Sequence, residues 1–486
     1  MTDTTAKRKT TLAIFASGLL ALTLQLGLLL NGFYGISADE SGRTLDAYTW
    51  LKTGTPYSDV WLPFHRIVVA VGLFLWNDTI LVPRIISFVF GCVVLLAIIL
   101  MAHELFHNHR VTMVTAFLAA LFPPRIILSV VPLTEIEFIA FILVGLIAYI
   151  RWLQSKKPWQ LVATSACIGI GTTIRYEAWI IAVVFALLLL TKREYRTLVF
   201  THSIFGSVLL FLIAIFPLYW TAIKFQETHR ILSFASSHAD RYQRVFHIDT
   251  MKIIWHNPVT QFVYQNGLSL NLIGMLSIVP CFRFDRQKRA YLLLPIIALF
   301  IFALVLLTGA GFTTHNPWRI SVLWGCLLLP FTAYWMVQYI AHHETSNIVK
   351  RYGVLMLVGV AFLVQLLWLS RAPEFTSSDY EAGKILKKEL QQSSQGKILL
   401  ETPDWNFVNV LVAAGVPDSV IFNTGFDPYE PAGAVLSTKN VVDVERLTRL
   451  RIHLLVFRSP LLFSQAQARR VTQLYHTPRW TVYKVQ

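Results

Sequence analysis

Apolar runs of about 20 residues recur along the first three quarters of this 486-residue chain. A hydrocarbon core of roughly 30 Å needs about 20 apolar residues per helix, so each run is long enough to cross a membrane. The composition agrees, because only 14% of the residues are charged, whereas soluble domains have about a quarter. The runs therefore predict an all-α polytopic membrane protein.

The spacing of these runs predicts about eleven transmembrane helices. They are expected near residues 12–35, 82–105, 111–131, 136–152, 159–174, 178–191, 198–222, 263–282, 291–308, 319–340 and 352–370. The first run follows the basic residues 7–9 and is too long for the core of a signal peptide. No small-residue cleavage site follows it, which indicates an uncleaved anchor.

The net charge of +15 is explained by topology and does not indicate nucleic-acid binding. The excess of lysine and arginine sits in alternate short loops near predicted membrane ends, as the positive-inside rule requires. This pattern places the N-terminus in the cytoplasm and, with an odd number of spans, the C-terminus outside. We therefore expect a multi-pass protein of the cell (plasma or inner) membrane.

The composition changes after Arg371, which predicts two domains, a transmembrane domain at 1–371 and a small α/β extracytoplasmic domain at 372–486. The segment SSDYEAGKILKKELQQS reads as an amphipathic helix, with Tyr380 and Leu386 on its apolar side. KILLE, SVIFN, HLLVFRSP and WTVYKV read as short strands, with helical pieces near 407–415 and 442–450. Strands that alternate with helices are typical of a small α/β unit, and no glycine-rich phosphate loop supports nucleotide binding there.

Two adjacent carboxylates, Asp39 and Glu40, follow the uncharged run of the first span. A solvated helix end is the ordinary explanation for a lone acid at a membrane boundary. Here Ser41 could cap a following amphipathic helix in which Leu45 and Tyr48 share a face, so that the helix lies at the membrane interface above the acids. Like charge and partial desolvation would raise the pKa of one acid, which suits a general base acting on a hydroxyl.

Four further charged or titratable residues lie on the same predicted external side, and we expect them to bind substrate. Glu135 precedes the fourth span, Arg175 lies between two apolar segments, and His315 and Arg319 precede the tenth span. An arginine at this edge offers a planar fork for a phosphate. Alternatively, Arg175 forms an ion pair with Glu177, and Arg319 is a helix-end arginine whose head reaches the interface.

The layout resembles that of the GT-C glycosyltransferases. The resemblance rests on the uncharged first helix, the acidic pair, the stretch YSDVWLPFHR, the span VPRIISFVFGCVVLLAIIL, and the segments PPRIILSVVPLTEIEF and IGIGTTIRYEAW. The nearest branch contains the dolichyl-phosphate-mannose protein mannosyltransferases and the bacterial aminoarabinose transferases. The resemblance covers about residues 10–370, but Trp318 stands where the family often has a tyrosine beside the arginine before the tenth span.

The resemblance implies a sugar donor carried on a polyprenyl monophosphate, with transfer on the extracytoplasmic side. Asp39 would be the catalytic acid/base, and Glu40 would complete the pair. Asp39 would take the proton of an acceptor hydroxyl, whose oxygen would attack the anomeric carbon. Arginines such as Arg175 and Arg319 would stabilise the charge on the leaving lipid phosphate.

The acceptor stays open at this stage, because a lipid, a protein or a growing polysaccharide would each supply a hydroxyl. No Asp-x-Asp motif of nucleotide-sugar enzymes is visible in a soluble domain. No cofactor is required by the pattern. A divalent cation is optional, since Asp39, Glu135 and His315 could hold one, although no ligand spacing demands it.

HELFHNH, which begins at His103, contains a rival motif. On a helix, His103 and His107 would share a face as zinc ligands, and Glu104 would act as the base of a membrane metalloprotease. The motif lies on the predicted cytoplasmic side, opposite the other candidates, and has no third ligand nearby. A non-enzymatic transporter is the other alternative, but it would need charges near the midplane, whereas most charges here lie at span ends.

Overall fold

The computed structural model describes residues 3–55, 61–191, 203–229, 269, 272–277, 280, 318–342, 348–370, 374–392, 396–428, 433–436, 441–458 and 460–486. Within these ranges, twelve helices precede the C-terminal domain. They are α1 Asp3–Leu30, α2 Asp39–Thr53, α3 Pro63–Leu75, α4 Leu81–Phe106, α5 His109–Leu121, α6 Pro123–Leu128, α7 Thr134–Ser155, α8 Pro158–Thr172, α9 Glu177–Thr191, α10 Ser203–Thr228, α11 Trp318–His342 and α12 Ile348–Leu369.

The helical membrane architecture is confirmed. Among the described residues, six helices are long and apolar enough to cross a membrane, and they belong to α1, α4, α7, α10, α11 and α12. Helices α8 and α9 have 15 residues each, so each is about 22 Å long and shorter than a full crossing. The predicted spans 263–282 and 291–308 fall mostly outside the described residues.

Two features of the helical region differ from the predictions. The apolar helix α3, Pro63–Leu75, was not predicted. The predicted span 111–131 is divided at Phe122, because Pro123 has no N–H to continue α5. The fully buried Arg125 occupies the break and donates from Nε to the carbonyl of Ala119 at 2.8 Å. It thereby satisfies a carbonyl that the end of α5 leaves open.

In its described residues, the C-terminal domain contains four helices and five strands. The helices are α13 Glu374–Gln392, α14 Phe407–Ala413, α15 Val444–Arg449 and α16 Gln465–Ala468, and the strands are β1 Lys397–Leu400, β2 Val420–Phe422, β3 Ile452–Phe457, β4 Val471–His476 and β5 Thr481–Val485. The sheet has the order β2-β1-β3-β5-β4, with β1 parallel to β2 and β3, and β5 antiparallel to β3 and β4. The predicted α/β composition is confirmed, although β4 was missed.

This domain packs on the segment that carries the acidic pair. Leu45 of α2 is buried in the same apolar cluster as Phe407 and Val412 of α14. Thr79, just before α4, donates to the carbonyl of Val412 at 2.6 Å. Helix α2 is therefore held between α3 and the C-terminal domain, and its apolar face is covered by protein.

Candidate functional site

The acidic pair occupies the first two positions of α2, and its two members have different surroundings. Glu40 is fully buried, and its carboxylate accepts from the backbone N–H of Ile36 at 2.8 Å and from the Ser37 hydroxyl at 2.7 Å. Asp39 is 52% exposed and faces outward from the helix start. The predicted cap is wrong, because the Ser41 hydroxyl lies inside the helix and bonds to Tyr380.

The two carboxyl groups also differ in acidity. Burial raises the pKa of Glu40 above its ordinary value, and the N–H of Ile36 offsets only part of this effect. Desolvation also acts on Asp39, but the positive charges of Arg319 and Arg43 outweigh it and hold the pKa of Asp39 below its ordinary value. The predicted raised pKa therefore falls on Glu40, and Asp39 is ionised at neutral pH.

A chain of alternating charges begins at Asp39, and we call it the ion-pair chain. Arg319 donates from one terminal nitrogen to Asp39 Oδ2 at 2.9 Å and from Nε to Glu135 Oε1 at 2.7 Å. The same Glu135 oxygen lies 2.6 Å from a terminal nitrogen of Arg175. Arg175 also donates from Nε to Glu177 Oε1 at 2.9 Å. Both arginines that were expected to meet a phosphate are therefore paired with carboxylates.

The ion-pair chain gathers helix ends that are far apart in the sequence. Glu135 lies in the first turn of α7 and is 2% exposed, Arg175 lies in the turn between α8 and α9, and Arg319 lies in the first turn of α11. His315 lies outside the described residues, so its place in the site stays a prediction. No group of three metal-ligand side chains is arranged to hold a metal ion in the part of the chain that the structure describes.

Helix α3 contributes two buried polar contacts that sequence reasoning missed. His65 Nδ1 lies 2.7 Å from Glu137 Oε1, two residues beyond Glu135 on α7. Arg66 donates from Nε to Asp46 Oδ2 on α2 at 2.6 Å. These contacts join α3 to α7 and to α2. The apolar run of residues 67–75 was the available signal for this helix.

A cluster of two tyrosines and two cations joins the site to the C-terminal domain. The rings of Tyr34 and Tyr380 stack with centroids 4.6 Å apart, and the Arg84 guanidinium carbon lies 5.5 and 5.3 Å from their centroids. The Tyr380 hydroxyl is 2.8 Å from the Ser41 hydroxyl and accepts from Arg84 at 3.2 Å. Lys384 also contacts Tyr34. Tyr380 of α13 therefore reaches a residue only two positions beyond Asp39.

Tyr380→Phe is expected to destabilise the protein by about 1–3 kcal/mol, because the buried Ser41 hydroxyl and Arg84 lose a hydrogen-bond partner. The matched control is Tyr475→Phe. The hydroxyl of Tyr475 donates to Glu381 in a solvent-exposed contact. Thermal unfolding of both variants in detergent checks the prediction. Equal unfolding temperatures for the two variants would contradict a specific role for the Tyr380 contact.

The motif HELFHNH does not form the expected zinc geometry. Helix α4 ends at Phe106, and His107 follows with a left-handed backbone and φ of 48°. The ring centroids of His103 and His107 lie 6.0 Å apart, and among the described residues no group of three metal-ligand side chains is arranged to hold a metal ion. Glu104 is paired with Arg151 at 2.8 Å. Arg151 lies sixteen residues after Glu135 on α7, about 24 Å along the helix. The motif is therefore remote from the ion-pair chain.

Comparison with known protein families gives a match over part of the chain. The family of dolichyl-phosphate-mannose-protein mannosyltransferases matches residues 62–220. This region contains α3 to α9 and most of α10, including Glu135, Arg175 and Glu177 of the ion-pair chain. A separate search of curated proteins gives no match.

Solved structures of two kinds share the fold. ArnT from Cupriavidus metallidurans, bound to undecaprenyl phosphate, has 13% identity and a TM-score of 0.59, with 97% of each chain covered. The Archaeoglobus fulgidus oligosaccharyltransferase, tethered to an acceptor peptide with the NVT sequon, has 13% identity and a TM-score of 0.56. That match covers 93% of this chain and 69% of the other. The resemblance to the GT-C glycosyltransferases is confirmed.

Proposed function

We propose that this membrane glycosyltransferase of the GT-C type moves a sugar from a polyprenyl-phosphate donor to an acceptor hydroxyl, with Asp39 as the general base. The observation that carries the proposal is the placement of Asp39. Its carboxylate is ionised and half exposed, and it is oriented by Arg319 at the edge of a buried chain of charges. Its pKa is lowered and not raised as expected for the base, but Asp39 is the acid that a bound hydroxyl can reach, whereas Glu40 is fully buried.

The proposed reaction consists of four linked events. The acceptor hydroxyl gives its proton to Asp39 while its oxygen attacks the anomeric carbon of the sugar. The bond from that carbon to the phosphate oxygen breaks, and the polyprenyl phosphate leaves with the bonding electrons. Arg319, which already contacts Asp39, is positioned to keep the carboxylate aimed at the acceptor. Glu40 holds the loop before α2 and is proposed as a positioning residue.

The remaining members of the site are assigned to the substrates. Glu135, Arg175 and Arg319 would form the polar wall beside the donor phosphate, and His315 is proposed to join them. Positive charge beside a leaving phosphate lowers the barrier to bond breaking. A divalent cation stays optional, with Asp39 and Glu135 as its nearest oxygen ligands. The Arg319 guanidinium that bridges these two carboxylates already neutralises part of their charge.

The donor class is supported by the ligands of the structural relatives. ArnT was solved with undecaprenyl phosphate, and the archaeal AglB was solved with a dolichol-phosphate and an inhibitory peptide. The acceptor could be a lipid, a protein or a polysaccharide. Loop charge supports a location in the plasma or inner membrane, with the cytoplasmic N-terminus opposite the site and the C-terminal domain outside. That domain contacts α2 and is well placed to meet an acceptor.

We expect purified protein to release undecaprenyl phosphate from an undecaprenyl-phosphate sugar and to use no nucleotide sugar. The assay compares undecaprenyl phosphate carrying mannose, glucose or aminoarabinose with the nucleotide forms of the same sugars. The control variant Glu104→Gln changes the rival motif and should keep the parent rate, because Glu104 lies at the far end of α4. Turnover of nucleotide sugars alone would contradict the donor assignment. Loss of stoichiometric zinc together with all activity in His103→Ala and Glu104→Gln would revive the metalloprotease alternative.

A further inference from the structure

The two arginines of the ion-pair chain have few hydrogen-bond donors left for a phosphate. Arg319 is shared between Asp39 and Glu135, and Arg175 is shared between Glu135 and Glu177. Each guanidinium therefore already faces carboxylate oxygens at hydrogen-bond distance. An incoming phosphate would have to displace a carboxylate or accept a weakened interaction. A phosphate site requires another cation.

Arg43 is such a cation. It lies one helical turn after Asp39 on α2, and its charge interacts with those of Asp39 and Glu135. Within the described residues it forms no ion pair, and its buried Nε has no hydrogen-bond partner. A half-buried guanidinium without a carboxylate is unusual, because the desolvation of its charge is then left uncompensated.

Trp61 fixes the position of this guanidinium. The guanidinium carbon of Arg43 lies 4.8 Å from the centroid of the Trp61 ring, a cation–π contact. The ring lies directly on α2, since a Cβ at Gly42 would be 2.9 Å from it. Arg66 contacts the Trp61 carbonyl at 3.5 Å and is itself paired with Asp46. The segment WLPFHR therefore holds Arg43 in a set orientation, and no carboxylate of the described residues pairs with its guanidinium.

We infer that Arg43, seated on Trp61, binds the phosphate group of the lipid-linked donor. The inference rests on the proposed function and adds the residue that recognises the phosphate. A guanidinium fork can donate two parallel hydrogen bonds to phosphate oxygens, and half-burial strengthens them. Because Arg43 lies one turn from Asp39, the phosphate is held beside the carboxylate that activates the acceptor. Arg319 can then remain on Asp39 throughout the reaction.

Binding of undecaprenyl phosphate in detergent micelles tests this inference, with undecaprenol as the probe that lacks the phosphate. Arg43→Gln is expected to weaken binding of undecaprenyl phosphate roughly tenfold or more, since a hydrogen bond to a charged group is lost. Undecaprenol affinity should not change. Arg446→Gln, which removes an exposed arginine of α15, is the matched control and should bind both probes as the parent does.

Two further variants test whether binding depends on the guanidinium fork of Arg43 and its position on Trp61, and not only on its positive charge. Arg43→Lys keeps the charge but not the fork and should weaken binding several-fold. Gly42→Ala pushes the Trp61 ring away from α2 and should also lower phosphate affinity, although no charge is removed. Parent affinity for undecaprenyl phosphate in folded Arg43→Gln, or in both of these variants, would overturn the inference. A parent protein that does not bind undecaprenyl phosphate would instead contradict the proposed function.

Discussion

Glu135→Gln is expected to destabilise the protein by about 3–5 kcal/mol, because removal of one partner from a buried ion pair leaves charge uncompensated. A single oxygen of Glu135 accepts from both Arg319 and Arg175, and the side chain is 2% exposed. The amide cannot neutralise either guanidinium. The loss should appear as a lower unfolding temperature in detergent and a smaller amount of protein in the membrane.

The matched control is Glu177→Gln, which makes the same chemical change on the same chain of charges. Glu177 is 16% exposed and pairs with Arg175, which retains Glu135 in this variant. Its effect should therefore be clearly smaller. A Glu135→Gln protein as stable as Glu177→Gln would show that the buried position of Glu135 contributes little. The double variant Glu135→Gln with Arg319→Gln should lose less stability than the sum of the two single losses, since the two side chains contact each other.

Much of the fold could be predicted because a membrane imposes a simple rule on the sequence. Runs of about 20 apolar residues give the spanning helices, and α4, α7, α11 and α12 match their predicted runs to within a few residues, whereas α1 and α10 are displaced from theirs. Helix α3 has 13 residues and was hidden in a predicted loop. In the C-terminal domain β4 was missed because VTQLYH is a partly exposed edge strand without an apolar run.

The proximity of four of the candidate site residues could be predicted, but their pairing could not. Alternation of span ends put Asp39, Glu135, Arg175 and Arg319 on one side, and the structure brings all four together. Their pairing depends on contacts between residues that are far apart in the sequence, such as residues 135 and 319. No local sequence pattern predicts such contacts. The same is true of Tyr380, which is 339 residues from Ser41. The pKa of Asp39 differs from that of Glu40 because of burial and of the charge of Arg319. Neither effect can be predicted from the adjacent pair of acids alone.

Asp39→Asn is expected to lower the rate of sugar transfer by about 10²–10⁴-fold, the usual contribution of general-base catalysis. The amide keeps the size of the side chain but cannot accept the proton of the acceptor. The fold should survive, because Arg319 retains its contact with Glu135 and Asp39 is half exposed. Asp78→Asn is the matched control, since Asp78 caps the start of α4 and lies outside the ion-pair chain.

The pH dependence of the parent distinguishes the two acids. A base must be deprotonated, so activity falls as the pH drops through its pKa. The pKa of Asp39 is held below its ordinary value of 3.8, and that of Glu40 is raised above 4.5. If Asp39 is the base, the transfer rate should show no loss between pH 7 and pH 4.5. A loss of activity above pH 4.5 would favour Glu40.

The most direct test is the single-turnover rate of sugar transfer by Asp39→Asn, with saturating polyprenyl-phosphate donor and equal amounts of folded protein in the membrane. We expect a rate at least about 100-fold below that of the parent, while Asp78→Asn transfers at the parent rate. An Asp39→Asn protein that keeps most of the parent rate would show that Asp39 is a solvated helix end and not the catalytic base.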